Sequence, residues 1–471
     1  MYPLCEVEKA QSLSDTHNFY ARTEVREMEV QLYDYQRDGV RFLTEKEISG
    51  LFDPPGLGKT VMSIAACDTI KAGNILVICP ASARINWLRE FLRFQKIQRK
   101  VAIIGSSIAK PASCGVTICS FDLSVREEVF TKLMAMQFDV LIIDESHFLK
   151  SKEAKRTQAI LGPKCNREGG LAERAKRIYA LSGTPAPNNP SEIWPMAHAL
   201  FPEAITRDGK VMSYLDFQNR FCTWRETEHG IQITGGRNLA ELRQRLAPFC
   251  LRRKKEEVLH DLQPIRFETI PLSPEGAIKA LRDIEDGPEG DAIRAVLKQA
   301  SGSDKLSGIA LHVAELRRLT GLAKVQPTLS LVADELSSGL NKIVIFAHHR
   351  EVIQRLEEGL EPFGVASIHG GIRAAERQAA IDGFQNDPEI KVFIGQLTAA
   401  GTAISLVSSS NVLFVESSWT PGDNFQAAMR CHRIGQKNSV LVRFVTLAGS
   451  LDEWITEVIR RKTAVINELF N

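Results

Sequence analysis

The chain has 471 residues, room for about three domains of ~150 residues and for large buried cores. Its 25% charged and 44% hydrophobic residues are an ordinary globular mix, no apolar run reaches the ~18 residues of a membrane span, and the N-terminus has no signal-peptide pattern. A net charge of only +2 excludes a global basic field, so any nucleic-acid surface must be a local patch. The nine cysteines form no CxxC pair, and the closest two, Cys114 and Cys119, have no histidine nearby. They read as buried thiols in a reducing compartment and not as zinc ligands or disulfides, so a soluble intracellular protein is expected.

Residues 1–27 read as a short polar lead-in. In LYDYQRDGVRFL (32–43) the apolar positions Leu32, Tyr35, Val40 and Leu43 suit a helix starting near Asp34, with Gln36 exposed at its start. Strand-like residues 48–52 lead into DPPGLGKT (53–60), and helix-like residues 60–70 follow. Gly56 and Gly58 let the backbone approach a phosphate and turn its N–H groups toward it. Lys59 adds a point charge for β/γ-phosphates, Thr60 offers a hydroxyl to Mg2+, and the new helix directs its positive end at the same place. Asp53 stands where GxxxxGKT has its first glycine, and Pro54 and Pro55 carry no N–H. The cradle must therefore come from residues 56–60, with the prolines stiffening its approach. Alone, the stretch fits either a nucleotide site or an ordinary glycine-rich turn.

Ile75–Cys79 is a uniformly apolar run of the kind a parallel strand covered on both faces requires, and 82–94 reads as an amphipathic helix. Val101–Ile104 and Val116–Cys119 are further strands. Val140–Ile143 delivers Asp144 and Glu145 at its end, and Arg177–Leu181 delivers Ser182, Gly183, Thr184 and Pro185. Strands alternating with helices, with polar residues at strand ends, describe a doubly wound α/β sheet whose ligands bind beyond the carboxyl ends of the strands. From 200 to 325 the strand signal fades. Residues 238–262 read as helical, ending in the basic run Arg252, Arg253, Lys254, Lys255, and 275–325 read as charged helix. A second α/β segment begins at 328, with strands at Ile343–Phe346, Ala366–His369, Val392–Ile394, Val412–Val415 and Val440–Val445. Residues 451–469 form an amphipathic helix.

Asp144 and Glu145 are the expected partners of a phosphate loop, the first to hold Mg2+ and the second to orient and deprotonate an attacking water. A solvated acidic loop is the alternative. QAAMRCHRIGQ (426–436) places Arg430 and Arg433 three apart on one helix face. Aimed at a cleft, such a pair stabilises charge on a transferring phosphoryl group, worth on the order of 10³-fold or more in rate. A solvated basic face is the default for any arginine pair taken singly.

The order of the motifs decides among these readings. From residue 32 to about 456 the chain resembles the Swi/Snf family of superfamily-two helicase-like ATPases. LYDYQRDGV resembles the family's adenine-reading motif, and DPPGLGKT its DEMGLGKT loop, in which Asp53 is the family residue. ICPASARINWLREF, ICSFD, the DEAH-type box DESHFLK, LSGTPAPNNPSEIW, IVIFAHH, SIHGG and QLTAAGTAISL follow in family order. ESSWTPGDNFQAAMRCHRIGQKNSV is the most specific match. NLAELRQRLAPFCLRRKKEEVLHDLQP and WTPG place the nearest likeness with the annealing-helicase, fork-remodelling type. Ala403 departs from the family's AGGLGINL glycine, which bears on local DNA contacts and not on ATP hydrolysis. GPKCNREGG (162–170) is an extra loop to which the sequence assigns no role. No separate substrate-recognition domain and no chromatin-reading module is visible, and the compact chain reads as bacterial or viral.

The resemblance implies two RecA-like doubly wound parallel-sheet lobes with a helical insertion. The expected division is lead-in 1–27, ATP-binding lobe 28–200, helical insertion and linker 201–327, C-terminal helicase lobe 328–450 and terminal helix 451–471. It implies ATP and Mg2+ as ligands, with Gln36, Asp53, Gly56, Leu57, Gly58, Lys59, Thr60 and Gly401 binding nucleotide. Lys59, Asp144, Glu145, Arg430 and Arg433 would carry catalysis, with Thr60 and Asp144 on the metal. Ser120, Lys150, Thr398 and Trp419 are candidates near the DNA track. The implied activity is ATP-driven translocation on duplex or branched DNA by a monomer, reannealing or remodelling DNA or displacing proteins in replication, repair or recombination. It would work in the cytoplasm of a bacterium or infected cell, or in the nucleus of a eukaryote. A strand-separating helicase and an ATP-switched DNA-binding scaffold remain the alternatives. For the basic run 252–255, a direct DNA contact and a solvated linker both remain open.

Overall fold

The computed structural model describes residues 32–105, 115–227, 230–259, 262–272, 317–400, 404–447 and 452. The lead-in, Gly401, Ala403, residues 275–316 of the expected charged helix and, apart from residue 452, the terminal helix lie outside them. Two compact units emerge. One contains the chain up to Ile48, Thr60–Asp144 and Glu153–Tyr179; the other contains Ser49–Lys59, Glu145–Lys152 and the chain from Ala180 onward.

The chain opens with helix α1 (Asp34–Glu45), β1 (Ile48–Leu51), α2 (Lys59–Thr69), β2 (Asn74–Cys79), α3 (Arg84–Phe94), β3 (Val101–Ile103), β4 (Gly115–Ser120), β5 (Phe138–Ile143) and β6 (Ala175–Leu181). Two short antiparallel pairs follow, β7 (Thr206–Arg207) with β8 (Lys210–Val211) and β9 (Cys222–Thr227) with β10 (Gly230–Gly236). Then come β11 (Cys250–Leu251), β12 (Ile265–Leu272), β13 (Ile343–Ala347), β14 (Val365–Ile368), β15 (Val392–Gln396), β16 (Asn411–Phe414) and β17 (Val440–Leu447). One sheet has seven strands in the order β11-β1-β6-β5-β2-β4-β3, and the other has six in the order β12-β17-β16-β13-β15-β14.

In the first unit β2 pairs in parallel with both β4 and β5, and β3 with β4. Every residue of β4, and all but one residue each of β2 and β5, is buried. That is why these strands read as apolar runs without alternation. The Asp144 N–H donates to Ile78 O at 2.8 Å, which ends the pairing and leaves the Asp144 side chain at the carboxyl end of β5.

In the second unit the six-stranded sheet is parallel throughout. Along β13 the side chains alternate between two cores. Val344 and Phe346 pack with Phe384, Phe393 and Phe414, whereas Ile343, Ile345 and Ala347 pack with Val352, Leu356 and Leu360. A sheet buried on both faces is thus what the fold expectation required.

The interval 201–327 is not only helical. It carries β7–β10, and the expected helix over 238–262 is a helix Leu239–Leu246, the strand β11 parallel to β1, and one turn at Lys255–Val258. β12 extends the second sheet beside β17 with mostly exposed residues. The extra loop 162–170 coils on itself, with Gly162, Cys165, Arg167 and Gly169 all at positive φ and the Arg167 N–H donating to Leu161 O at 2.8 Å. The seven described cysteines are free thiols, six of them buried. Burial pushes Cys67, Cys119 and Cys222 up to about 12, so they are chemically quiet.

Candidate nucleotide site

The first unit supplies three of the residues expected at the nucleotide. Thr60 lies in the first turn of α2 directly after Lys59. Gln36 is not exposed as its place in the helix suggested. It is 5% exposed, its Oε1 accepts the Tyr33 N–H (3.1 Å), and its Nε2 reaches Tyr35 Oη (3.4 Å), so the amide is drawn back over the start of α1. Asp144 accepts a hydrogen bond on Oδ2 from Trp87 Nε1 at 2.8 Å. Trp87 comes from α3, is 1% exposed and was not among the expected site residues; only its place in the NWLREF motif hinted at it.

The second unit contains the phosphate loop up to Lys59. Gly56 has φ of 92° and Gly58 of 82°, a region in which L side chains are strained. Space also demands glycine at 56, because a Cβ there would lie 2.6 Å from Arg433 Cβ. Lys59 Nζ turns back to donate to Asp53 O (2.6 Å) and Pro54 O (3.3 Å). Leu57 is fully buried and anchors the loop. The prolines have a packing role as well as a stiffening one, since a Cβ on Gly183 would come within 2.7 Å of Pro55 Cδ. Asp53 is fully buried, and its Oδ1 accepts from the Arg253 N–H (3.0 Å) and Nε (3.2 Å) within an ion pair.

The basic run 252–255 is therefore turned mostly inward rather than solvated. Arg252 donates to Phe52 O (2.8 Å) and Gly183 O (3.1 Å), tying the end of β1 to the loop after β6. Burial lowers its guanidinium to about 10 against the opposing pull of Asp53. Arg253 clamps Asp53, Lys255 is 4% exposed, and only Lys254 faces outward.

Glu145 adopts the left-handed conformation at φ 50°, an uncommon state for a side chain of its size and one that recurs at functional sites. Burial would raise its carboxyl, but the His147 hydrogen bond and charge, with Lys59 and Arg430, hold it down at about 2. His147 Nδ1 lies 3.3 Å from Glu145 Oε2 and 3.1 Å from Ser182 Oγ. Gln426 Nε2 donates to Thr184 Oγ1 at 3.0 Å and reaches Glu145 Oε2 at 3.5 Å. His147, Thr184 and Gln426 were named only as parts of motifs; their convergence on Glu145 depends on strand-end and loop geometry that spacing does not show.

Arg430 and Arg433 do not share a helix face. The helix Pro421–Ala428 stops before them, and they sit in the turns beyond it. The Arg430 carbonyl accepts the Leu406 N–H (2.9 Å), and Arg433 Nη1 donates to Ile404 O (2.9 Å). Gln436 braces this turn by donating to Ser409 O at 2.8 Å and to Val407 O and Cys431 O at 3.2 Å. Lys59, Arg430 and Arg433 act electrostatically on Lys255, and Lys59 and Arg430 on Glu145, so the phosphate loop lies in a positive, largely buried setting. Such a donor set suits an anion carrying several charges.

The remaining expected residues are placed as follows. Ser120 is 1% exposed and its hydroxyl accepts the Leu123 N–H (3.3 Å). Lys150 Nζ lies 3.4 Å from Glu192 Oε1. Trp419 is half-buried with Arg317 Cζ 5.8 Å from its ring centroid, and Thr398 falls in the short helix Leu397–Ala400.

Two domain families match the chain: the SNF2-related domain over residues 35–277, more than half of the chain, and the helicase conserved C-terminal domain over 324–435. The chain belongs to the SNF2-related family. Among its relatives is the Xenopus tropicalis SWI/SNF-related matrix-associated actin-dependent regulator of chromatin subfamily A-like protein 1. It is 32% identical over 450 residues, which are 93% of this chain and 45% of the relative. The Mus musculus DNA annealing helicase and endonuclease ZRANB3 is 28% identical over 460 residues, 94% of this chain and 41% of the relative. The chain thus spans less than half the length of these two relatives. Among solved structures, a Sulfolobus solfataricus SWI2/SNF2 ATPase core in complex with dsDNA covers 93% of each chain at 24% identity and a TM-score of 0.43. The SNF2-related match covers both the phosphate loop and the DEAH-type box, and the helicase C-terminal match covers Arg430 and Arg433.

Proposed function

We propose that this chain is an ATP-hydrolysing motor that translocates on double-stranded DNA, remodelling or reannealing branched intermediates in replication, repair or recombination. The observation that carries it is the setting of the phosphate loop. Gly56 lies against Arg433, Glu145 is held ionised, and the surrounding cations match a triphosphate.

The residues also fit Mg2+. Asp144 offers a carboxylate at the carboxyl end of β5, and Thr60 offers a hydroxyl in the first turn of α2. A cation bound through one or two protein oxygens, water and substrate phosphates has this signature. Bound there, Mg2+ would offset charge on the β- and γ-phosphates. Thr60 and Asp144 would hold it, and Trp87 would fix the Asp144 carboxylate. Gly56, Gly58 and Lys59 would cradle the phosphates. Glu145, ionised at neutral pH and steered by His147 and Gln426, would orient the attacking water more than it would store its proton. Arg430 and Arg433 would face the transferring group.

On DNA, contacts to phosphates position a motor without reading sequence, so binding is salt-sensitive and sequence-tolerant. A monomer would suffice. No helix among the described residues is long and apolar enough to cross a membrane, and the motor acts where its DNA is, in the cytoplasm or nucleus.

The test is steady-state ATP hydrolysis with no nucleic acid, single-stranded DNA, duplex DNA and forked duplex, with Lys59→Ala as the blank. Stimulation by duplex or fork that disappears in the variant supports the translocase. Stimulation by single strands alone replaces it with a strand-separating helicase. ATP-dependent DNA affinity without turnover replaces it with a switch.

A further inference from the structure

We propose that Lys255 is a fourth phosphate-binding cation of the nucleotide site, after Lys59, Arg430 and Arg433, directed at the terminal phosphate of a nucleoside triphosphate. The inference rests on the nucleotide-binding part of the function proposed above. Lys255 begins the single helical turn Lys255–Val258 after β11, and so comes from the segment that joins the two sheets. Its Nζ lies 3.5 Å from the point where a Cβ would stand on Gly56, the glycine that also meets Arg433. The ammonium is therefore at the phosphate loop itself, beside the arginine expected on the transferring group.

Its present partners do not account for its charge. Nζ donates to the carbonyl oxygen of His432 and reaches Met429 Sδ at 3.1 Å, one neutral acceptor and one weak one. Among the described residues it has no carboxylate at ion-pair distance. Burial, followed by the charges of Arg433 and Lys59, pushes it well below the ordinary lysine value, and Glu256 opposes this only in part. A buried ammonium surrounded by cations destabilises the fold, and an apolar side chain of similar length would fill the same space at lower cost. A positive group held at such a disadvantage is explained by an anion that completes the site. With a triphosphate in the loop, a terminal phosphate oxygen would replace the His432 carbonyl as acceptor, and the bond would be charge-assisted at both ends. The two acceptors it leaves lie on the turn that bears Arg430 and Arg433, so the same move would report the nucleotide state to that turn.

The experiment is isothermal titration of the full chain with ADP and with ATPγS, each with Mg2+, for wild type, Lys255→Met, Lys255→Gln and Lys255→Arg, alongside melting temperatures. The expected result for Lys255→Met and Lys255→Gln is a loss of ~10-fold or more in ATPγS affinity, with ADP affinity within ~2-fold of wild type. Lys255→Arg should recover part of the ATPγS affinity. The melting temperature of Lys255→Met should equal or exceed that of wild type, the reverse of what a purely structural lysine gives. Equal losses for both nucleotides, or no loss for either, would overturn the assignment. So would a Lys255→Met that melts early together with a Lys255→Gln that shows no selective loss. A wild type that binds neither nucleotide overturns the function proposed above and this assignment with it, whereas wild-type binding with unselective variants overturns only the assignment.

Discussion

Replacing Arg253 with methionine would leave the Asp53 carboxylate fully buried with only the backbone N–H of residue 253 as a donor. The native carboxylate also receives the Arg253 guanidinium through Nε and Nη2, across 200 residues of sequence. Removing one partner of a buried pair costs about 3–5 kcal/mol, because the remaining charge stays desolvated and unpaired. The pair lies in the second unit, and an unfolding entropy of about 2.1 cal/mol/K per residue over roughly 300 residues gives about 1.5 °C per kcal/mol, so a fall of ~4–8 °C is expected by differential scanning calorimetry. The double variant Asp53→Leu, Arg253→Met removes both charges and fills the space, and should recover most of the loss. ADP affinity should follow the same order, since Asp53 opens the phosphate loop and its own carbonyl holds Lys59. If Arg253→Met shifted the midpoint by less than ~3 °C, or if the double variant were no better than the single one, the pair would not be the anchor described here.

Trp87→Phe keeps an aromatic ring but removes the donor to Asp144, and should raise the Mg2+ concentration for half-maximal ATPγS binding by about 10-fold. Gln426→Ala should lower kcat by roughly 10-fold with little change in KM, since the amide touches Thr184 and Glu145 and not the expected nucleotide-binding residues. Because Glu145 is held at about 2, below its ordinary 4.5, its charge stabilises the fold above pH 4.5 and that contribution fades as pH falls toward 2. Glu145→Gln should therefore melt earlier than wild type at pH 7, with the gap narrowing through that window. A gap that widened on acidification would contradict the environment described for Glu145.

How much of this was legible in the sequence varied from element to element, for physical reasons. The parallel strands β2, β4, β5, β13 and β15 are buried on both faces, so their apolar runs are intrinsic to the residues and were readable. β12 is mostly exposed, β11 is two residues long, and β9 (CTWRET) has no apolar alternation. These strands exist through pairing with distant partners, and local sequence does not carry that information. Gln36 was misplaced because the residue that starts its helix is Tyr33, outside the usual capping types, so nothing marked the amide as turned back on the chain. Arg430 and Arg433 have helical spacing, but the helix has ended at Ala428, and the arginines are aimed by turns that donate to or accept from residues near 404–409.

The basic run 252–255 shows most sharply what composition hides. Four consecutive cations look the same in sequence whether they face water, DNA or the interior. Here the chain directs three of them inward, to the carbonyls of Phe52 and Gly183, to the Asp53 carboxylate and to the Arg433 turn. Two of the three find strong partners: Arg252 two carbonyls through Nη1, although its Nε is buried without an acceptor, and Arg253 a carboxylate. Lys255 is left with a carbonyl, a thioether and a ring of like charge beside the phosphate loop. Buried charge without a counter-charge is rare in a folded chain because desolvation alone disfavours it. Its presence next to Gly56 and Arg433 makes the anionic ligand part of the fold's own charge balance. A triphosphate should therefore stabilise the second unit more than a diphosphate at equal concentration, through its tighter binding, and Lys255→Met should abolish that difference while leaving the stabilisation by the diphosphate unchanged.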